Sequence, residues 1–153
     1  MTSIALRPAK LPDIKPIIEL IRPFSDEEIM LPLSFGSAVD RIRDFWIAEM
    51  ADVIVGVGAV HPAWDNLMEI RSLAVRREMQ HHGIGRLIMQ SLLENARHMG
   101  AREVFTLTYV PTFFERFGFK RIEKDRLPRK VWADCVHCPK FPDCGEIPLL
   151  LTL

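Results

Sequence analysis

The sequence predicts one α/β domain over residues 1–153, a mixed sheet with helices on its faces. Three observations predict it. Strand-like and helix-like segments alternate in the order β-α-α-β-β-β-α-β-α-β-β. A glycine turn at Gly83 and Gly85 opens a long amphipathic helix directly after a strand. The chain has 153 residues, 48% hydrophobic and 26% charged, which suits one folded unit with one core.

Residues 3–7 alternate apolar and polar side chains and read as a first strand. Residues 12–21 read as a helix with Ile14, Ile17, Ile18 and Ile21 on one face, and Pro16 falls in its first turn. Ser25-Asp26-Glu27-Glu28 has the form of a capping box and predicts a second, short helix, continued at residues 37–43 after a break at Gly36. Residues 45–49 and 53–60 read as two strands with Asp52 at the turn between them. Gly56 and Gly58 weaken the second of these and mark a bulge or a close backbone approach. Residues 62–66 read as a loop and 68–75 as a strand.

The helix that follows runs to about His98. Ile84, Leu87, Ile88, Leu92, Ala96 and Met99 recur at helical spacing, and Gly100 ends it. Residues 103–108 form a strand, 111–116 a short helix begun by Pro111, and 119–123 another strand. Residues 128–145 read as an irregular Cys- and Pro-rich loop. Residues 146–153 form an apolar last strand, either internal or completing the sheet of a homodimer.

Twenty basic residues balance twenty acidic ones. No global charge therefore calls for nucleic acid or an anionic membrane as partner. No stretch is apolar for long enough to span a bilayer, and residues 1–7 lack the pattern of a signal peptide. The odd number of cysteines, three, argues against a disulfide-stapled secreted protein, so a cytoplasmic setting is expected.

The glycine turn carries the first chemical signal. The opening N–H groups of a helix have no partner within it, and the helix dipole adds positive charge there. Gly83 and Gly85 let a pyrophosphate approach the backbone, and Arg76, Arg77 and Arg86 lie nearby in sequence. An ordinary glycine turn before a helix would carry the same residues.

Gln80-x-x-Gly83-x-Gly85 resembles the acyl-CoA pyrophosphate signature of the GNAT acetyltransferase family. A second run, Pro111-Thr112-Phe113-Phe114-Glu115-Arg116-Phe117-Gly118-Phe119, resembles that family's short helix ending in Gly-Phe. The resemblance covers about residues 3–123. It implies a mostly antiparallel sheet of six to seven strands, splayed between the fourth and fifth, with helices on both faces. It also implies acetyl-CoA as cosubstrate. The pyrophosphate would lie at Gln80, His81, His82, Gly83, Ile84, Gly85 and Arg86, the pantetheine arm along Leu73, Ala74 and Val75, and Phe114 against the cofactor.

Within that family the chain is similar to short stand-alone bacterial N-acetylglutamate synthases. The similarity is carried by Glu69-Ile70-Arg71-Ser72-Leu73-Ala74-Val75, the Phe-Phe-Glu-Arg-Phe-Gly-Phe run, the segment Leu127-Pro128-Arg129-Lys130-Val131-Trp132 and the Cys-rich segment after it. It implies acetyl transfer to the α-amino group of an amino acid, L-glutamate, the first step of arginine biosynthesis. Enzymes specific for glutamate would be expected to carry an arginine near Leu33, and this chain has none there.

An amine attacks a thioester only as the free base, so a proton must leave it. Glu69 is the candidate general base, through a bridging water. A solvent-facing strand glutamate is the competing reading. A backbone N–H near Leu73, Ala74 or Val75 would stabilise the charge on the attacked carbonyl. Where the family often uses a tyrosine to protonate the departing thiolate, this chain has Phe114; Tyr109, the only tyrosine, is the substitute, or else a packing residue. Arg7, Arg71, Ser72, Arg129 and Lys130 are candidate substrate contacts, Arg71 foremost because it shares a strand face with Glu69.

Cys135, Cys138 and Cys144, with His137, are ligand types that suit zinc. Three reduced thiols in a proline-fixed loop are the competing reading, and the acetyl-transfer chemistry needs no metal. Two functional alternatives remain from sequence: an acetyltransferase for another small amine or a protein N-terminus, and a non-catalytic acyl-CoA-binding regulatory module.

Overall fold

The computed structural model describes residues 3–136 and 145–153. Its elements run β1 (Ala5–Pro8), α1 (Ile14–Asp26), α2 (Phe35–Asp40), β2 (Phe45–Met50), β3 (Val53–Trp64), β4 (Leu67–Val75), α3 (Ile84–His98), β5 (Glu103–Thr108), α4 (Pro111–Glu115), β6 (Lys120–Arg121), α5 (Arg129–Val136) and β7 (Ile147–Thr152). The seven strands form one sheet in the order β1-β2-β3-β4-β5-β7-β6. Every neighbouring pair is antiparallel except β4 with β5, which is parallel because α3 crosses between them.

Each face of the sheet has its own core. Ile84, Ile88 and Leu92 of α3 pack with Val55, Val60, Ile70 and Val104 on one face. Ile17, Leu20, Ile21 and Phe24 of α1 pack with Ile47, Val57, Ala59 and Ala74 on the other. Gly56 and Gly58 explain how closely α3 sits. A Cβ at Gly56 would stand 2.8 Å from Ile88 Cδ1, and one at Gly58 2.8 Å from Ile88 Cγ2 and 3.0 Å from Leu92 Cδ1. Both readings of these glycines are realised: α3 approaches closely, and the register also shifts beside them, with Ala48 opposite Gly56 but Glu49 opposite Ile54, and again between Val57 and Ala59.

Four expectations from sequence are corrected. Ser25 does not cap a second helix: the buried stripe of α1 continues through Phe24, so α1 extends past Pro23 to Asp26. The second helix is instead α2, capped by Ser34, whose hydroxyl accepts from the Ser37 amide at 3.1 Å. The loop expected at residues 62–66 is mostly strand. β3 runs to Trp64 and tolerates Pro62 because a bulge follows it, with Pro62 opposite Met68 and Trp64 opposite Leu67. Part of the expected loop at 128–145 is α5. Its Val131, with Leu127 before it, packs on Ala63, Leu67 and Phe105, and Trp132 Nε1 donates to the Lys124 carbonyl at 3.1 Å. Among the described residues no helix is long and apolar enough to cross a membrane.

Candidate active site

The site begins where the sheet divides. β4 and β5 pair from Leu67 opposite Glu103 to Ile70 opposite Thr106, and no further. Thr106 Oγ1 donates to the Ile70 carbonyl at 3.0 Å, closing the last paired step with a side chain. Beyond it, Ala74 and Val75 keep their β3 neighbours on one side, and Leu73, Ala74 and Val75 border a cleft. The cleft has a volume of about 1220 Å³.

A bulge in β4 sets what this strand shows to the cleft. Val57 pairs with Ala74, but Ala59 pairs with Arg71, so β4 has one residue more than β3 over this stretch. Ser72 absorbs it with φ of 55°, a left-handed value rare outside glycine. The extra residue reverses the side-chain alternation. Arg71 and Ala74 share the α1 face, while Leu73 lies against the α3 face beside Gly58.

Before the bulge, Glu69 is buried at 6% exposure. Arg71 Nε donates to its Oε1 at 2.5 Å. The competing reading of Glu69 as a solvent-facing residue is thereby removed. His61 of β3 stands directly opposite Glu69, and its Nδ1 lies 2.6 Å from Asp44 Oδ2. Glu69, Arg71, His61 and Asp44 all line the cleft.

The other end of the cleft is the start of α3. Gly83 caps the helix with φ of 81°, a conformation glycine adopts without strain. The Leu87 amide is the first to reach back, to the Gly83 carbonyl at 3.1 Å, which leaves the amides of Ile84, Gly85 and Arg86 for an anion. Gln80 Nε2 donates to the Val75 carbonyl at 3.1 Å and ties this turn to the end of β4. Gly85 faces Phe113, whose ring a Cβ would meet at 3.3 Å. Across the cleft, Arg77 pairs with Glu27 and lies 5.1 Å from the Phe24 ring centroid, joining the end of α1 to the segment after β4.

Most residues expected from sequence meet here: Glu69, Arg71, Ser72, Leu73, Ala74, Val75, Gln80, His81, Gly83, Ile84, Gly85, Arg86, Tyr109 and Phe114 line one cleft. Phe114 is at the same time a core residue, edge-on to Phe113 and Phe119. Lys130 lies at a small adjoining recess that also touches His61, Glu69 and Arg71.

Three candidates are placed elsewhere. His82 is exposed and does not line the cleft. Arg129, at the start of α5, does not reach it. Arg7 is taken up by two carboxylates: Nη1 lies 2.8 Å from Asp13 Oδ2 and Nε 3.0 Å from Glu49 Oε1. That guanidinium holds the Asp13 carboxyl below its ordinary 3.8, against the upward pull of burial, and the two acids raise Arg7 in turn.

The sequence reading missed Arg41, Asp44 and His61. His61 could have been found only by knowing that it pairs with Glu69, and Arg41 and Asp44 only by knowing where the chain enters β2. The cysteine motif lies outside the described side chains: His137, Cys138 and Cys144 are outside the described residues, and Cys135 enters only as backbone of α5. Among the described residues no group of three or more His, Cys, Asp or Glu is arranged to hold a metal ion.

Comparison with known proteins agrees with this geometry. The profile of the acetyltransferase (GNAT) family matches residues 11–119. An uncharacterized N-acetyltransferase of Chlorobaculum tepidum is 39% identical over 148 residues, 97% of this chain and 96% of that one. An amino-acid acetyltransferase of Mycobacterium tuberculosis is 37% identical over 132 residues, 84% of this chain and 75% of that one. The crystal structure of N-acetylglutamate synthase from Neisseria gonorrhoeae, complexed with coenzyme A and N-acetyl-glutamate, superposes with a TM-score of 0.88 at 26% identity, covering 100% of this chain and 36% of that one. With its divided sheet, its glycine-capped helix and these relatives, the chain belongs to the GNAT family of acyl-CoA-dependent N-acetyltransferases.

Proposed function

We propose that the protein transfers the acetyl group of acetyl-CoA to the α-amino group of an amino acid, L-glutamate, as the entry reaction of arginine biosynthesis. The observation that carries this reading is the buried Glu69, paired with Arg71 beside the point where β4 and β5 part. The similarity to the Mycobacterium relative, an amino-acid acetyltransferase, and to the Neisseria structure, an N-acetylglutamate synthase, supports the choice of acceptor.

The residues present fit the cosubstrate. Free amides at Ile84, Gly85 and Arg86 suit its pyrophosphate. The open backbone of Leu73, Ala74 and Val75 suits its amide-bearing arm. Acetyl-CoA supplies the activated acyl group; the protein's part is to hold, orient and deprotonate. Glu69 takes the ammonium proton through a water, which turns the acceptor into a nucleophile. A backbone N–H in the Leu73 to Val75 stretch donates to the carbonyl oxygen as charge grows there. Tyr109, at the end of β5 on the cleft wall, gives the thiolate its proton. Holding amine and thioester in contact supplies much of the remaining rate.

The test is thiol release from acetyl-CoA against a panel of amino acids. Turnover with glutamate is expected, and Tyr109→Phe is expected to slow it while leaving coenzyme A affinity nearly intact. Turnover only with other amines would move the acceptor assignment. Tight coenzyme A binding without turnover on any amine would make the chain a binding module instead.

A further inference from the structure

Arg41 presents an unexplained group. It sits between α2 and the short 3-10 turn Ile42–Asp44 that leads into β2, and it lines the cleft. Its Nη1 is buried and has no hydrogen-bond partner among the described residues. A guanidinium donor removed from water without an acceptor is unfavourable, and such groups are rare in folded proteins. Asp44, three residues on, is engaged by His61 Nδ1.

We propose that Arg41 binds the distal carboxylate of a dicarboxylic acceptor. This deepens the amino-acid reading above and rests on it. Arg41 enters the cleft from the turn that leads into β2, and Phe45 at the start of β2 stands opposite Ala59 on β3, which stands opposite Arg71 on β4. In the sheet order β3 lies between the strand that Arg41 precedes and the strand that carries Glu69 and Arg71.

A cation supplied from the β2 side, rather than from β4 beside Glu69, suits a second carboxylate at the far end of the acceptor. Arg71, on the same strand and face as Glu69, is placed for the nearer carboxylate. His61, opposite Glu69 on the intervening β3, is held by Asp44. The acceptor end of the cleft thus carries a cation at each side, a pattern that selects an amino acid with two acidic groups.

The test compares steady-state kinetics with glutamate and with glutamine, which differs only in losing the distal charge. Wild type, Arg41→Gln and Arg41→Lys are measured, with coenzyme A affinity as a control for folding. The wild type is expected to prefer glutamate. Arg41→Gln should lower the ratio of kcat/KM for glutamate over glutamine about 10- to 100-fold, the range for losing a charge-assisted hydrogen bond, mostly through KM. Arg41→Lys should restore part of the ratio. An unchanged ratio in Arg41→Gln, with a wild type that prefers glutamate, overturns the role of Arg41 and leaves the proposed reaction standing. A wild type that acetylates only neutral amino acids overturns the dicarboxylate assignment while keeping amino-acid acetylation. A wild type inactive on every amino acid overturns both.

Discussion

Arg71 Nε donates to Glu69 Oε1 at 2.5 Å, two residues apart on one face of β4 and just ahead of the Ser72 bulge. Side chains at i and i+2 of a strand share a face, so the pairing follows from the strand itself. The bulge matters because it comes after this pair. Without it Leu73, not Ala74, would continue the Glu69–Arg71 row, and a bulky side chain would point to the acceptor side.

Replacing Glu69 tests its proposed role as base most directly. Glu69→Gln keeps shape and removes proton affinity, so kcat should fall by about 10²- to 10⁴-fold, the usual contribution of general base catalysis. Coenzyme A affinity, measured by calorimetry, should change little, because the amides proposed to hold its pyrophosphate lie at the start of α3. Lost affinity would mean that Glu69 serves the cosubstrate instead.

The glycine turn gives a second prediction. Gly85→Val places a branched side chain against the Phe113 ring, which a bare Cβ would already meet at 3.3 Å. The turn must shift or the aromatic ring must move. Coenzyme A affinity should weaken by at least about tenfold, about 1.4 kcal/mol, in the same calorimetric titration.

The two central glycines of β3 make a stability prediction separate from the site. Gly58→Val drives methyl groups into Ile88 and Leu92 of α3. Overpacking of this kind destabilises by about 1–3 kcal/mol. Urea unfolding should show a lower midpoint with an unchanged slope.

Acid sensitivity follows from Asp13. Its folded-state affinity for protons is lowered, first by the hydrogen bond from Arg7, so the unfolded chain binds a proton at higher pH than the folded one does. The stabilisation is complete above the ordinary value of 3.8 and is lost as pH falls through the lowered folded value. Asp13→Asn should therefore flatten the fall in unfolding free energy at the acid end while lowering stability at neutral pH. Chemical denaturation between pH 7 and pH 3 checks both.

Much of this molecule was legible in its residues. Alternation located the strands, the spacing of Ile84, Ile88 and Leu92 located α3, and Gly83 with Gly85 located the glycine turn that opens it. What escaped was decided by contacts between distant segments. Phe24 prolongs α1 because a core receives it, and Val131 makes a helix of a Pro- and Cys-rich stretch because Phe105 lies beneath it. Arg7 left the candidate site because Asp13 and Glu49 hold it. His61 entered because register, which no single segment encodes, brings it opposite Glu69, and Arg41 because the turn before β2 borders the same cleft.

The division of β4 also separates stiffness from adaptability within nine residues. Glu69 has His61 on one flank and Phe105 on the other, so its backbone is held from both sides. A few positions later, Ala74 and Val75 are held from one side alone. Amides there should exchange with heavy water sooner than those around Glu69, and slow down when coenzyme A fills the gap. The half of β4 that borders the cleft is thus the less constrained one, while the backbone at Glu69 is fixed between two neighbours.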